Sequence, residues 1–427
     1  MSVLDLEFDL TRADTCLYLD KDGSWKRGAV NYPQATNYVD DIGTYFRGTW
    51  IPKPLTNKIL HSEDFSNAAW TKDATTITSD SIASPVSGEL ADLLTESSTL
   101  AGVYQDITVA SGGTATHARF VKKAAGFDWY RLAVVESGSN SVVAWFDIEN
   151  GVIGTYEDNG TGVYTTHYMV DMGNDWYLCC VVASIPATTL RRLYASSATA
   201  DASNTRVSGS TRYEWGAQGY EATLNGTLNP LDYITTTTAS ATRAVTDIRK
   251  TDFPLLASLQ GFIDVDFSTI TFGTRVFMLG ADNVNRLSIR TGGANNTFFM
   301  DYQVGGVTQW TLTTTIKLML GRSRIIFGVS DGENYIMLDG ANEINNALSY
   351  APQGGIFTIG KNTTGTLNLL TNGGFFGLYL DSGITKAQLL EESAWDGLED
   401  SSAFKRTTFD DFAYTESIYN LLASTTL

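Results

Sequence analysis

The segment Val142-Val-Ala-Trp-Phe-Asp-Ile-Glu-Asn-Gly-Val-Ile153 places apolar, β-favouring runs on both sides of an Asn-Gly pair. Asn-Gly tolerates the positive φ angles that a two-residue hairpin turn demands, so these twelve residues predict a β-hairpin. The same chemistry recurs at Asp22-Gly23, Asn159-Gly160, Asp331-Gly332 and Asp339-Gly340. Between such turns the apolar residues alternate: Val103, Ile107 and Val109 fall on one face of a strand, as do Trp176, Leu178, Cys180 and Val182. Alternation with a period of two reads as half-buried strands of a sandwich or barrel. A single helix is predicted, over Thr385–Glu392, where Thr385 and Gln388 have capping-box spacing. The fold class is therefore all-β.

The chain has 427 residues, and its 29 Lys and Arg against 47 Asp and Glu give a net charge of −18. At roughly 150 residues per domain, two or three domains are expected. An acidic excess offers little attraction to phosphate backbones or anionic lipid, so neither nucleic acid nor membrane insertion is expected. The N-terminal MSVLDLEFDL lacks a basic residue, and no apolar run reaches membrane-spanning length; no signal peptide or transmembrane helix is expected. Cys179 and Cys180 are strand neighbours whose side chains should point to opposite faces, which predicts a chain without disulfides in a reducing compartment. His61, His117 and His167 are far apart and have no zinc-site spacing.

Composition suggests boundaries near Pro52 and Pro54 and a linker near 244–253, after the small polar run Thr235–Arg243. Beyond about 395 the chain becomes an acidic and aromatic tail.

Three motifs could carry chemistry. Gly328-Val-Ser330-Asp-Gly332 has the nucleophile-elbow pattern, but Ser330 heads a hairpin turn rather than a strand-to-helix elbow, so a turn serine is expected. Asp264 and Asp266 share a strand face and could form a carboxylate pair, against which stands a solvated outer face opposite Ile263, Val265 and Phe267. Asp20-Lys-Asp22-Gly23 and the acidic loop Asp331–Glu333 could hold calcium; Asn31 stands where a bidentate glutamate would be needed, so a tight turn is the default and no cofactor is expected. Sugars stack on exposed aromatic rings. Trp145 and Trp176 sit in strand patterns that suit a core, whereas Trp129, Tyr130 and Trp310 follow polar or Gly-rich loops and are the candidate carbohydrate-binding residues.

Phe8-Asp-Leu-Thr-Arg12-Ala13 and Tyr18-Leu-Asp20-Lys-Asp22-Gly23 are followed by Asn57, Ser62-Glu63-Asp-Phe65 and Trp70, then by Trp215-Gly216-Ala217-Gln218, Tyr233-Ile-Thr-Thr and Thr242-Arg243-Ala244. In order and spacing, this series over residues 8–247 resembles tailed-phage virion surface proteins of the head-spike or tail-fibre type. Asn225–Pro230 looks inserted, and Thr235 stands where such proteins usually have Pro. The resemblance implies a β-jelly-roll similar to carbohydrate-binding modules.

Ile325–Gly340 and the strand Phe376–Leu380 make residues 254–395 similar to a concanavalin A-like, laminin-G-type sandwich. Hydrolases of that kind use a denser run of three acids along one strand, and Ser268 and Thr269 stand where a third would follow Asp266.

The expected organisation is an N-terminal hairpin and attachment region (1–56), a jelly roll (57–247), a second sandwich with a short helix (254–395) and a tail (396–427). The resemblance implies a non-enzymatic structural protein on the surface of a phage virion, assembled in the bacterial cytoplasm. Its expected partners are other virion proteins of head or tail, further copies of itself as a trimer, and host-surface glycans. A polysaccharide depolymerase or glycosidase, and a purely structural decoration module without ligand, are the alternatives.

Overall fold

A computed structural model describes residues 9–393, except 12–14, 20–23, 29–34, 40–44, 52–54, 111–112, 127, 137–139, 186–188, 222–229, 244–246, 268–274, 283, 293–296, 315–320, 339–340, 352, 360–373 and 382–384. The expected tail therefore lies outside the described residues, as do the Asp20–Gly23 and Asp339-Gly340 turns. The chain is all-β and divides into two compact units, one of residues 14–29 and 55–244, the other of 1–13, 30–54 and 245–427. The residues expected as an attachment region contribute strands to both.

In the unit of residues 14–29 and 55–244, two antiparallel sheets form the jelly-roll sandwich. The front sheet runs Val152–Asn159, Ser141–Asp147, Trp129–Val135, Leu190–Ala198, Gly102–Thr108, Thr71–Asp73. The back sheet is built on Val163–Gly173, Trp176–Ser184, Thr114–Lys123 and Thr211–Glu221, with Leu90–Glu96 and Thr75–Ala83 extending it. Ser141–Asp147 pairs with Val152–Asn159 through the predicted Asn150-Gly151 turn, and Gly151, Gly160 and Gly332 all adopt positive φ.

The core between the sheets holds Val103, Ile107, Tyr130, Leu132, Phe146, Cys179 and Val181. A second core lies on the far side of the back sheet, where Trp176, Leu178, Cys180 and Val182 meet Leu17, Val86, Trp215 and Tyr233. Cys179 and Cys180 do face opposite ways, one in each core, and all three cysteines are buried outside any disulfide. The strand Trp176–Ser184 is thus buried on both faces rather than half-buried. Its nearly continuous apolar text, WYLCCVVAS, is what a doubly covered strand requires.

The covering layer on the back includes the N-terminal hairpin, Cys16–Leu19 paired with Trp25–Gly28. Arg27 fixes it there. Its guanidinium makes a two-pronged bridge to Glu89 (2.6 and 2.8 Å), reaches Glu63 at 2.6 Å, bonds Thr235 Oγ1, and lies over the Trp215 and Tyr233 rings.

The other unit is also a sandwich of two antiparallel sheets, with Ile263, Phe277, Ile289, Phe327 and Phe357 in its core. Residues 247–253, expected as linker, belong to the strand Asp247–Leu256, which pairs with Gln353–Ile359. Its polar text conceals a strand whose Phe253 enters the core, and Pro254 sits where the pairing register shifts, a position that tolerates a missing N–H. The predicted helix is present as Lys386–Ser393. It seats Leu389 on Phe262, Ile326, Tyr335 and Met337, while Lys386 binds Glu343 at 2.5 Å.

Candidate functional site

Of the motif residues quoted above, those between Asn57 and Arg243 gather in the unit of residues 14–29 and 55–244, where their side chains serve the fold, whereas residues 8–13 belong to the other unit. Asn57 spends its whole amide: Nδ2 donates to the carbonyls of Ala217 (3.1 Å) and Ile234 (2.8 Å), and Oδ1 accepts from the N–H groups of Ile59 and Gly219. Tyr233 donates its hydroxyl to Glu63 at 2.8 Å, and Arg243 donates to the Tyr233 carbonyl. Trp215, Phe120 and Tyr233 pack as one aromatic group. Gly216 is required beside them: it holds φ +57°, and a Cβ there would stand 2.8 Å from Phe120. Thr235 uses the hydroxyl that a proline would lack to bind Arg27 and Glu63.

Between the sheets lies a buried charge network. Glu214 accepts from Arg119 (2.6 Å) and Arg212 (2.5 Å), and Arg212 also binds Glu96, which takes hydrogen bonds from Ser197. All four charged side chains are 0% exposed. Burial disfavours ionisation of Glu214, yet the two guanidiniums hold its carboxyl below the usual range. Arg119 Nε donates to His117 Nε2 at 3.0 Å, leaving Nδ1 to donate to the Ala133 carbonyl at 3.2 Å. Burial, aided by Arg119, keeps this imidazole neutral, well below its ordinary pKa. The charges balance and face away from water, so the network ties the sheets together and offers nothing to a substrate.

The outer face of the front sheet is partly open to solvent. Strand alternation sends Tyr130, Leu132 and Val134 inward and Trp129, Arg131, Ala133 and Val135 outward. Beside them stand Trp145, Tyr194 and Tyr104, the last two stacked at 5.7 Å. The loop 199–210 crosses part of this face, with Trp145 Nε1 donating to the Ser203 carbonyl at 2.7 Å and Arg206 lying over Tyr194. What stays open is half-buried Trp129 at one end and half-buried Tyr104, capped by Arg192 at 3.9 Å, towards the other. Gly154 is the platform under Trp129: a Cβ there would be 2.7 Å from the indole. Trp129 and Ala133, which pairs with Tyr194, are four residues apart, about 13 Å along the strand.

The three candidate aromatics therefore separate. Trp129 is on the open face. Tyr130 is fully buried and Trp310 is 5% exposed, so neither has the exposure expected of it. Tyr130 alternates with Trp129 and must face the core; Trp310 packs on Tyr302 and donates Nε1 to the Ser349 carbonyl. Tyr104 and Arg192 went unnoticed in the sequence, although Tyr104 alternates with Val103 and so must face outward. Trp145 and Trp176 are buried, as their strand positions suggested.

Ser330 is in a hairpin turn, where its hydroxyl donates to the Glu333 carbonyl. Asp264 and Asp266 lie opposite Arg324 and Arg322 in register; their side chains are outside the described residues. Among the described residues, no three His, Cys, Asp or Glu side chains gather as a metal site.

No family model matches the chain, and no curated protein matches it. Among solved structures it is similar to domain 4 of AbnA, a GH43 extracellular arabinanase from Geobacillus stearothermophilus, in complex with arabinotriose (15% identity, 37% of this chain and 77% of that one, TM-score 0.30). It is similar too to the heptameric SAP-like pentraxin of Limulus polyphemus (16% identity, 34% and 74%, TM-score 0.28) and to the mouse laminin alpha1 chain domains LG4-5 (10% identity, 68% and 88%, TM-score 0.26).

Proposed function

We propose that this chain is a non-enzymatic structural protein of a phage virion, a spike, fibre or decoration on head or tail, that binds host-surface glycans through the outer face of its front sheet. The observation that carries the glycan reading is half-buried Trp129, laid over Gly154 at the open end of an aromatic face. An indole seated on a strand of the sheet presents apolar surface on which a pyranose ring stacks, at little entropic cost. The virion role, the partnership with other virion proteins and self-association as a trimer rest on the sequence resemblance, of whose motif residues Asn57, Glu63, Tyr233, Ile234 and Arg243 form a bonded group. The surface of the virion is the corresponding location.

Immunogold labelling of particles with antibody to this chain tests the virion role: gold on head or tail is expected, and unlabelled particles would refute it. Incubating the full chain with host polysaccharide separates adhesion from depolymerase activity. Unchanged polymer length is expected; shortening that disappears in the Asp264→Asn/Asp266→Asn variant would establish the hydrolase instead.

A further inference from the structure

Two arginines on the outer face of the front sheet, where the loop 199–210 crosses it beside Trp129, make no direct bond to a carboxylate among the described residues, although buried or half-buried guanidiniums normally sit against one. Arg131 is only 8% exposed, yet its one hydrogen bond runs from Nε to the neutral Asn204 Oδ1 at 3.1 Å. Arg206, half-buried, donates from one terminal nitrogen to the carbonyl of the same Asn204 at 2.7 Å, and its Nε is buried without a hydrogen-bond partner among the described residues. Neither forms an ion pair among the described residues, whereas Arg119, Arg192 and Arg212 of the same unit all do. Two carboxylates stand nearby without bonding either guanidinium, and the charge of Glu157 offsets the burial of Arg131 only in part. Glu157 accepts from Asn204 Nδ2, and Asp201 accepts from Thr155 N, Thr155 Oγ1 and Ala202 N.

Asn204 thus holds two guanidiniums side by side, close enough that Arg206, after burial itself, helps bring the Arg131 pKa down to about 10. Positive charge assembled at this cost, beside Trp129 and over Tyr194, is what an anionic ligand group would relieve.

We propose that Arg131 and Arg206 form an oxyanion subsite beside Trp129, so that the glycan bound here is an acidic one whose carboxylate or sulfate is clasped by the two guanidiniums. The inference rests on the glycan reading and narrows its ligand class. The net charge of −18 opposes an anionic ligand at long range. At physiological ionic strength that field is screened beyond about 8 Å, so contacts at the subsite decide the outcome. The planar guanidinium fork matches the paired oxygens of either anion.

The test is an array of uronate-, sialate- and sulfate-bearing oligosaccharides, each beside its carboxyl-reduced or desulfated counterpart, probed with the full chain. The acidic member of at least one pair should bind about tenfold or more tightly than its neutral twin, as expected for a charge-assisted bond. Which pair responds distinguishes carboxylate from sulfate. Arg206→Gln should erase that preference while leaving the unfolding temperature unchanged, and Arg206→Lys, which keeps charge but loses the fork, should retain part of it. Arg131→Gln is the second variant. Equal binding of acidic and neutral twins would overturn the oxyanion subsite and leave the glycan reading standing; binding of neither would overturn both. Equal weakening of both twins by Arg206→Gln would make this arginine a loop fastener and likewise overturn the subsite.

Discussion

Glu214→Gln replaces one side chain by its near isostere and should be among the most damaging changes to the front-and-back sandwich. In the native protein two guanidiniums, Arg119 and Arg212, are balanced by two carboxylates, Glu96 and Glu214, all fully buried. Glutamine removes one negative charge and leaves a net positive charge in the core. It also turns an NH2 group towards an N–H of one arginine, where no lone pair remains to accept. Leaving a buried ion pair half-made costs about 3–5 kcal/mol. For a unit of this size each kcal/mol lowers the melting temperature by about 2–4 °C, so a fall of about 6–20 °C is expected. Tryptophan fluorescence reports it well, because Trp25, Trp70, Trp129, Trp145, Trp176 and Trp215 all belong to this unit, out of nine in the chain. A loss below about 1 kcal/mol would refute the premise that the network carries uncompensated charge when broken.

Further expectations follow from neighbouring residues. His117 is held neutral in the fold with its pKa well below the ordinary 6.5, so the unfolded chain takes up its proton first. Stability from this group is complete above about pH 6.5 and falls by up to about 1.4 kcal/mol per pH unit below it, down to the folded pKa; urea melts at pH 7.5 and 5.5 should show that slope, and His117→Gln should lose it. Gly216→Ala adds a Cβ at positive φ against Phe120, and a loss of about 2 kcal/mol or more is expected in the same melts. Arg27→Ala removes the anchor of the N-terminal hairpin, so amides of Cys16–Leu19 and Trp25–Gly28 should exchange faster by deuterium labelling while those of Thr114–Lys123 do not.

Local chemistry was legible in the sequence wherever a turn or alternation fixes it. The Asn150-Gly151 hairpin, the opposed cysteines, the turn serine and the C-terminal helix all follow from residues within a few positions of one another. Coverage by distant segments was not legible. Nothing near Trp176 announces that the hairpin Cys16–Gly28 and Val86 close over its strand, and nothing near Tyr194 announces the loop 199–210. Tyr130 shows the limit within one dipeptide: Trp129 and Tyr130 cannot share a face, and only the position of the opposing sheet decides which one meets solvent. The buried network did leave a trace, since Arg212 and Glu214, like His117 and Arg119, sit two apart on one strand face. A charged i, i+2 pair normally reads as a solvated face, and its burial depends on partners about a hundred residues away, such as Glu96.

Glycan binding is assigned to the outer face of the front sheet. Titration of the full chain with purified host surface polysaccharide at physiological salt, alongside Trp129→Ala, tests it most directly. Saturable binding by the native chain that weakens at least tenfold in the variant, with the variant still folded at the assay temperature, is the predicted result, in line with about 1.4 kcal/mol or more for a stacked ring. Binding that is unaffected by Trp129→Ala, or no binding by the native chain, would contradict it.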